Sequence, residues 1–269
     1  AITLLVMGAS VAHADGNFDE AEASCLMEQI ETALYLSAAE RRRLCRKCYE
    51  NLGLTITDFC RLRRLTKENV FETIRPGPGV LERTRAEYAR GKGLIAATGH
   101  FGNWELAGAA FLLFGFPAVS IARRLDSPKL DAYVTRQRER AGNEVIYKKN
   151  ALRALFRALK QNKTIGLMMD QYAGQNSLPI PFFGRETPTV DTGARLCLRT
   201  GCGLICYAAV RQPDGTYRFI SSEPLREHFR PTGDEERDAQ VILSFCNEQF
   251  EKFIREYPEQ WLWMHRRWR

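Results

Sequence analysis

The sequence predicts an α/β fold, in which helices cover both faces of a sheet, and three observations lead to this prediction. The chain has a helical pattern as far as about Asn69. From there on, short apolar runs with the character of strands alternate with helices, and such alternation is typical of a covered sheet. A length of 269 residues, of which 45% are hydrophobic, suits one substantial core.

The elements after Asn69 are predicted from apolar runs bounded by glycine and polar residues. No linker or internal repeat interrupts them, so we predict one domain over residues 16–269, after an apolar segment over residues 1–15. The predicted strands cover residues 94–98, 118–121, 144–147, 164–169, 204–210 and 218–220. The predicted helices cover residues 104–114, 129–141, 151–160, 193–200 and 234–255.

One strand-to-helix junction carries a histidine and a carboxylate. An apolar strand ends at Gly99, His100 follows in the loop, and Glu105 falls in the first turn of the next helix. Asn103 is a favourable N-cap for that helix. A five-residue separation within a continuous helix would turn the two side chains away from each other. The loop, in which Gly99 and Gly102 allow a tight backbone path, is therefore expected to bring His100 and Glu105 together.

A histidine paired with a carboxylate suits the removal of a proton from an alcohol. A neutral imidazole takes a hydroxyl proton near pH 7, and a carboxylate on its other nitrogen fixes the tautomer and stabilises the imidazolium. On this hypothesis His100 is the base, Glu105 orients it, and the substrate supplies the hydroxyl, so no serine or cysteine nucleophile is needed. The alternative is structural: His100 is a hydrogen-bonded loop residue and Glu105 complements the helix dipole.

The chain opens on an apolar segment, residues 1–12, that is shorter than the roughly 20 apolar residues needed to cross a bilayer. It has no basic region ahead of it, although residues 12–14 have the small-residue pattern of a signal cleavage site. We interpret the segment as part of a trimmed membrane anchor rather than as a secretory signal.

The distribution of charge indicates the kind of partner. The formal net charge is +7, and the basic residues are clustered. Such clusters bind anionic surfaces, including a membrane; the alternative is a solvated helix face with intrahelical ion pairs. The clusters contain Arg41, Arg42, Arg43, Arg46, Lys47, Arg61, Arg63, Arg64, Arg136, Arg138, Arg140, Arg266, Arg267 and Arg269. No nucleic-acid-binding motif accompanies the charge, so nucleic acid is not predicted as a partner.

The eight cysteines are scattered along the chain. Only Cys45 and Cys48 have Cys-x2-Cys spacing, and no second pair or histidine set completes a zinc site. We interpret both as small apolar residues that pack against the core from a helix, and we expect reduced thiols. The sequence predicts no metal site and no cofactor.

Five blocks of the sequence resemble, in the same order, blocks of one enzyme family. Residues 100–105 read HFGNWE, a His-x4-Glu box, and residues 258–267 read PEQWLWMHRR, similar to a closing PEQYLWxHRR signature. The blocks between them cover residues 120–128, residues 167–184 with their Asp170-Gln171 pair, and residues 192–201. The combination resembles the bacterial lipid A biosynthesis acyltransferases, the late or secondary branch of the lysophospholipid acyltransferase superfamily.

The resemblance implies a single-domain acyltransferase sandwich with a mixed sheet, in which His100 lies at the sheet edge beside an acyl-chain groove. It implies transfer of a fatty acyl group from an acyl thioester, on acyl carrier protein or coenzyme A, to a hydroxyl of a lipid A precursor. The implied location is the cytoplasmic face of the inner membrane. The alternatives are acylation of another glycolipid, such as a phosphatidylinositol mannoside, or of a lysophospholipid. From other classes of protein, a thioesterase and a noncatalytic lipid-binding protein remain open.

Four more residues are candidates for substrate binding. Backbone N–H groups near Gly102 and Asn103 are expected to stabilise the oxyanion. Arg123 aligns with an arginine of the family and binds either a substrate phosphate or the thioester region, or else forms a structural salt bridge. Asp170 ends a predicted strand and either belongs to the site or braces a loop.

Aromatic residues in the last two blocks have two interpretations. The Phe182-Phe183-Gly184 sequence is predicted to be a packed turn that forms a wall of the site. Trp261, Trp263 and Trp268 are either membrane-interface residues or core residues. His265 has no evident carboxylate partner in the sequence and is treated as structural.

Overall fold

The computed structural model describes residues 20–140, 142–147, 151–172, 174 and 177–268. The apolar segment predicted over residues 1–15 lies outside the described residues. Within them, the predicted α/β class and the helical N-terminal region are confirmed. No helix in this described part of the chain is long and apolar enough to span a membrane.

Two helices, α1 (Glu20–Ala33) and α2 (Ala38–Arg61), form the helical N-terminal region. Helix α2 begins at a capping box, in which the side chains of Ser37 and Glu40 each accept the other's backbone N–H. The helices that follow are α3 (Val70–Thr73), α4 (Val80–Ala89), α5 (Trp104–Leu113), α6 (Pro128–Arg140), α7 (Ala151–Lys160), α8 (Thr192–Thr200) and α9 (Glu235–Glu256). Short 3₁₀ turns cover Leu62–Arg64, Leu225–Glu227 and Pro258–Gln260.

The strands are β1 (Ile74–Pro76), β2 (Leu94–Thr98), β3 (Ala118–Ala122), β4 (Glu144–Tyr147), β5 (Thr164–Met168), β6 (Leu178–Phe182), β7 (Arg185–Thr189), β8 (Gly203–Arg211) and β9 (Tyr217–Ser221). Across the described residues, seven of them form one sheet in the order β1-β9-β8-β2-β5-β3-β4. Strand β2 pairs in parallel with β5 and β8, and β3 pairs in parallel with β5 and β4. Because β8 and β9 are antiparallel, the sheet is mixed, as the resemblance implies.

Neighbouring side chains of the central strands enter different cores, because successive residues of a strand point to opposite faces of the sheet. In β2, Ile95 and Ala97 join a core with α1, α2, α7, α8 and α9, whereas Leu94 and Ala96 join one with α4 and α5. All four side chains are buried. A strand that is buried on both faces is a continuous apolar run, which is why the sequence pattern located β2 correctly.

A hairpin formed by β6 and β7 was missing from the prediction, as were β1 and α4. The two strands pair antiparallel. Phe183 and Gly184 connect them, and the φ angles of these residues, 50° and 74°, fit a type I′ turn. Prolines in both strands concealed them, since proline is uncommon inside strands. Phe182 and Phe183 are buried, so the predicted packed turn is confirmed.

The closing segment, defined as residues 261–268, packs into the interior. Trp261 and Trp263 are buried, so the core interpretation is correct for both and the membrane-interface interpretation is wrong. The indole N–H of Trp268 donates to the carbonyl oxygen of Phe182 at 3.2 Å. Trp261 pairs with Phe101 in an isolated β-bridge, which places the closing segment against the loop after β2.

The predicted packing role of Cys45 and Cys48 is confirmed. Both lie on α2 and are buried in the core that this helix shares with the sheet. Burial raises the pKa of both thiols. Neutral, inert thiols are therefore expected at both positions.

Candidate active site

His100 and Asp170 follow two neighbouring parallel strands at one edge of the sheet. Strands β2 and β5 end in register, with Thr98 opposite Met168, so the loops after them begin side by side. His100 is the second residue after β2, and Asp170 is the second residue after β5. The edge formed by the carboxyl ends of parallel strands is the general location of ligand sites in α/β proteins.

Asp170 holds both the main chain and the ring of His100. Its Oδ2 accepts the backbone N–H of His100 at 2.6 Å, and its Oδ1 lies 3.0 Å from the ring Nδ1. Oδ2 also accepts the indole N–H of Trp261 at 2.9 Å. Asp170 and His100 are only 4% and 3% exposed. A carboxylate at Nδ1 fixes the ring proton there, so Nε2 keeps a lone pair that can accept a proton.

The Asp170 carboxyl group is ionised although it is buried. Burial by itself raises the pKa of this group, but the positive charge and hydrogen bonds of His100, together with the Trp261 hydrogen bond, lower it to about 2. The carboxylate is therefore available to stabilise an imidazolium on His100. Gly99 permits the close approach, since a Cβ at this position would lie 2.9 Å from Cγ of Asp170.

The other ring nitrogen of His100 faces a side-chain amide. Nε2 of Gln171 lies 3.2 Å from Nε2 of His100. Since the ring proton is on Nδ1, the amide N–H is the donor and the imidazole nitrogen accepts. The indole of Trp104 lies on another side of the ring, with the two ring centroids 5.2 Å apart.

The structure does not bring Glu105 to His100, so that expectation was wrong. Both carboxylate oxygens of Glu105 accept hydrogen bonds from Arg138 on α6, at 2.9 Å from Nε and 2.6 Å from an Nη. The two side chains are 7% and 19% exposed, and a buried carboxylate requires a compensating partner. Burial by itself lowers the pKa of Arg138, but the charge and hydrogen bonds of Glu105 raise this pKa above its ordinary value. The carboxylate at the imidazole is Asp170, which lies far away in sequence.

The backbone N–H groups of Gly102 and Asn103, predicted as donors to the oxyanion, already have acceptors within the protein. The N–H of Gly102 donates to the Gln260 carbonyl at 2.8 Å, and the N–H of Asn103 donates to the Ala209 carbonyl at 2.8 Å. The side chain of Asn103 caps α5 by accepting the backbone N–H of Leu106. Buried donors that already have acceptors are not free for a substrate oxygen. Gly102 and Asn103 fix the junction between β2 and α5 instead.

Arg123 forms a salt bridge at the surface, in agreement with the structural alternative to substrate binding. Its side chain is 73% exposed and lies 3.3 Å from Asp126.

The next residue, Arg124, lies with its guanidinium carbon 4.2 Å from the ring centre of Tyr147. Arg124, Arg136 and Tyr147 are among the residues that line an open cavity of about 460 Å³. This cavity adjoins the carboxyl ends of β3 and β4, at the same edge of the sheet as His100.

Arg267 was predicted to belong to a basic cluster, but the structure buries it fully. Its guanidinium donates to the carbonyl oxygens of Gln171 and Pro188, at 3.2 and 2.6 Å, and to Oγ1 of Thr189 at 2.8 Å. Burial lowers the pKa of Arg267 to about 10, against the opposing effect of nearby Asp170. The closing segment therefore supplies two groups to the site, Trp261 and Arg267.

The hydrogen bonds of the His100 ring within the described residues go to Asp170 and Gln171. A buried imidazole with a carboxylate on one nitrogen and a lone pair on the other is suited to take a proton from a hydroxyl group, once the hydroxyl replaces the Gln171 amide. No three His, Cys, Asp or Glu side chains in the described ranges are grouped as ligands for a metal ion.

Comparison with known proteins relates this chain to a family. Residues 10–269 match the model of the bacterial lipid A biosynthesis acyltransferases. The chain is 28% identical to the lipid A biosynthesis lauroyltransferase of Escherichia coli (strain K12), over 87% of this chain and 74% of that protein. It is 26% identical to the palmitoleoyltransferase of the same strain, with the same coverage. It is also 25% identical to a phosphatidylinositol mannoside acyltransferase of Mycolicibacterium smegmatis, over 66% of this chain and 57% of that protein.

Proposed function

This chain belongs to the bacterial lipid A biosynthesis acyltransferases, and we propose that it transfers a fatty acyl group from an acyl thioester to a hydroxyl of a lipid A precursor. The observation that carries the proposal is the buried pair of His100 and Asp170, with the lone pair of His100 Nε2 directed away from the carboxylate. Acyl carrier protein is the proposed donor, with coenzyme A as the alternative carrier.

In the proposed reaction His100 acts as the general base. Its Nε2 takes the proton of the acceptor hydroxyl while the hydroxyl oxygen forms a bond to the thioester carbonyl carbon. Asp170 stabilises the imidazolium through Nδ1. The carbon–sulfur bond then breaks, and the imidazolium returns the proton to the leaving thiolate. The products are an ester and a free thiol, and no acyl-enzyme is formed.

Glu105 has a positioning role in this proposal. Its ion pair with Arg138 joins the first turn of α5 to α6, and α5 begins directly after the loop that carries His100. We assign Glu105 to holding this loop in place rather than to the proton transfer. Gly102 and Asn103 support the same loop through their backbone hydrogen bonds.

The proposed location is the cytoplasmic face of the inner membrane, where the acceptor is a lipid. Arg124 and Arg136 line the cavity at the sheet edge and offer donors to the phosphate of a headgroup, although Asp131 and Glu139 line the same cavity. Binding to an anionic membrane surface is also supported by the exposed basic residues of α2, which are Arg42, Arg43, Arg46, Lys47 and Arg61.

Acylation of another glycolipid is the second candidate. The observation in its favour is the similarity to the phosphatidylinositol mannoside acyltransferase, which covers 66% of this chain. Mass spectrometry of lipids separates the two candidates when the chain is expressed in a strain that lacks its late lipid A acyltransferases. A new acyl chain on lipid A supports the first candidate, and unchanged lipid A with a new acylated glycolipid supports the second.

The test of the chemistry compares His100→Ala with His228→Ala, a histidine exposed at the surface. With an acyl thioester and a lipid A precursor, we expect ester formation and thiol release in step for the native enzyme and for His228→Ala. His100→Ala should be slower by roughly 10²–10⁴-fold, the usual contribution of a positioned general base. Circular dichroism of both variants serves to check that they are folded.

Three results would contradict the proposal. The first is native turnover by folded His100→Ala. The second is rapid thiol release without the acceptor, which would favour a thioesterase, since a base that activates an alcohol also activates water unless the site excludes it. The third is an acyl group trapped on a cysteine during turnover. Lipid binding without any turnover, unaffected by loss of His100, would favour a noncatalytic lipid-binding protein.

A further inference from the structure

Gln171 blocks the lone pair of the general base. Its amide nitrogen lies 3.2 Å from His100 Nε2, and this nitrogen is an acceptor because Nδ1 faces Asp170 at 3.0 Å. An acceptor hydroxyl must approach Nε2 to within about 2.6–3.2 Å before its proton is transferred. The amide and the hydroxyl therefore compete for one position, and the amide must leave when the acceptor binds.

Holding the imidazole in place does not require Gln171. Asp170 already binds both the backbone N–H and Nδ1 of His100, and these contacts set the tautomer and the orientation of the ring. Trp104 packs beside the ring. The hydrogen bond from Gln171 to Nε2 is therefore not needed to orient the ring, and it covers the atom that must take the proton.

The two backbone N–H groups that the sequence suggests as donors to the oxyanion already have acceptors within the protein. The N–H groups of Gly102 and Asn103 are bound to Gln260 and Ala209. When an acceptor oxygen is hydrogen-bonded to Nε2, the thioester carbonyl carbon lies about 3–3.5 Å from that oxygen. The carbonyl oxygen then lies a few ångströms from the present position of the Gln171 amide. A primary amide carries two N–H donors that suit this oxygen.

The backbone of Gln171 is fixed, although its side chain is partly exposed. Its carbonyl oxygen accepts a hydrogen bond from the buried guanidinium of Arg267 at 3.2 Å. The preceding residue, Asp170, is held by three hydrogen bonds. Movement of the amide therefore requires only side-chain rotation about an anchored backbone, which costs little reorganisation.

We propose that Gln171 is a further catalytic residue, whose amide occupies the site of the acceptor hydroxyl in the free enzyme and donates to the thioester carbonyl oxygen during transfer. This assignment rests on the proposed function. The acceptor displaces the amide from Nε2, and the displaced N–H groups then bind the carbonyl oxygen as its negative charge develops. One side chain thus shields the base before binding and stabilises the oxyanion after it.

The kinetic test uses Gln171→Ala, with Gln161→Ala as the matched control. Both glutamines flank β5, but Gln161 is exposed at the opposite end of the strand. With a lauroyl thioester and a lipid A precursor, we expect kcat of Gln171→Ala to fall roughly 10²–10³-fold, as for loss of one oxyanion donor. The acceptor KM should fall as well, because no amide competes for Nε2. Gln161→Ala should match the native enzyme.

Two kinetic results would overturn the proposal. An unchanged kcat for folded Gln171→Ala removes the oxyanion role. An acceptor KM that stays the same or rises removes the competition at Nε2, and a rise is the result expected if Gln171 were only structural. If the native enzyme itself transfers no acyl group, the proposed function has failed, and this failure is distinguishable from both results.

A second variant tests the contact at Nε2 without turnover. In Gln171→Glu a carboxylate faces Nε2 and favours the imidazolium. The imidazole of His100, followed by ¹⁵N NMR, should then titrate at a higher pH than in the native protein and in Gln161→Glu. The acid limb of the pH–rate profile should move in the same direction, since only neutral imidazole acts as the base. Unchanged titration in Gln171→Glu would show that the amide does not face the ring, and would overturn the proposal.

Discussion

The side chain of Asp170 accepts three hydrogen bonds, and few other side chains could accept all three. In Asp170→Asn one oxygen remains as an acceptor, and the new N–H group faces a donor. We expect the His100 ring to lose its tautomer and the transfer rate to fall by up to about 10⁴-fold. Asp126→Asn, at an exposed surface pair, is the control. Rates near the native value in a folded Asp170→Asn would remove the carboxylate from the mechanism.

The same carboxylate predicts a pH dependence of stability. The pKa of Asp170 is about 2 in the folded protein, against its ordinary value of 3.8. A lowered pKa stabilises the folded state above pH 4, and the contribution, roughly 2 kcal/mol, is lost as the pH falls towards 2. Chemical denaturation between pH 6 and pH 2 should show a steeper loss for the native protein than for Asp170→Asn. Parallel curves for the two proteins would contradict this assignment.

At the scale of elements, the ion pair between Glu105 and Arg138 joins α5 to α6. Glu105→Gln leaves a largely buried guanidinium without its charge partner, so we expect the free energy of unfolding to fall by about 3–5 kcal/mol. The double variant Glu105→Gln/Arg138→Gln should lose less than the sum of the single variants. Arg140→Gln, exposed at the end of α6, is the control. Additive losses in a double-mutant cycle would mean that the pair is not coupled.

The junction between β2 and α5 depends on Gly102. Its φ is +58°, and a Cβ would lie 2.0 Å from the carbonyl oxygen of Ala209. We expect Gly102→Ala to lower the free energy of unfolding by at least about 2 kcal/mol. Gly91 has a similar φ, +68°, but a Cβ at this position would have no atom within 4 Å. The variant Gly91→Ala is therefore a control that measures backbone strain alone. Equal losses in thermal or chemical denaturation of the two variants would contradict the contact with Ala209.

For the whole molecule, the exposed basic residues of α2 predict binding to anionic vesicles. We expect stronger binding to anionic than to neutral vesicles, and weaker binding as the salt concentration rises. Arg42→Gln/Arg43→Gln should weaken binding roughly 10- to 30-fold, at about 1 kcal/mol for each charge near the surface. The control with the same charge change is Arg237→Gln/Lys252→Gln, on exposed positions of α9. Vesicle co-sedimentation measures the binding of the native protein and of both double variants, and equal losses in the two variants would show that α2 is not the binding surface.

Part of this molecule is decided by local sequence. Continuous apolar runs located β2 and β5, and the glycine and N-cap signals located the start of α5 at Trp104. The blocks that resemble the family contain His100, Asp170 and Trp261. These features are local, because a strand, a cap or a turn depends on residues that are neighbours along the chain.

The partners of each functional side chain are decided by tertiary structure. Spacing along the chain favours Glu105 as the carboxylate at His100, but the parallel pairing of β2 with β5 brings Asp170 there. Glu105 meets Arg138 only because α6 packs near α5, and the closing segment brings Trp261 and Arg267 back to the site from the end of the chain. The physical reason is that burial strongly favours a partner for each charged or polar group, while the topology of the chain decides which distant residue provides it.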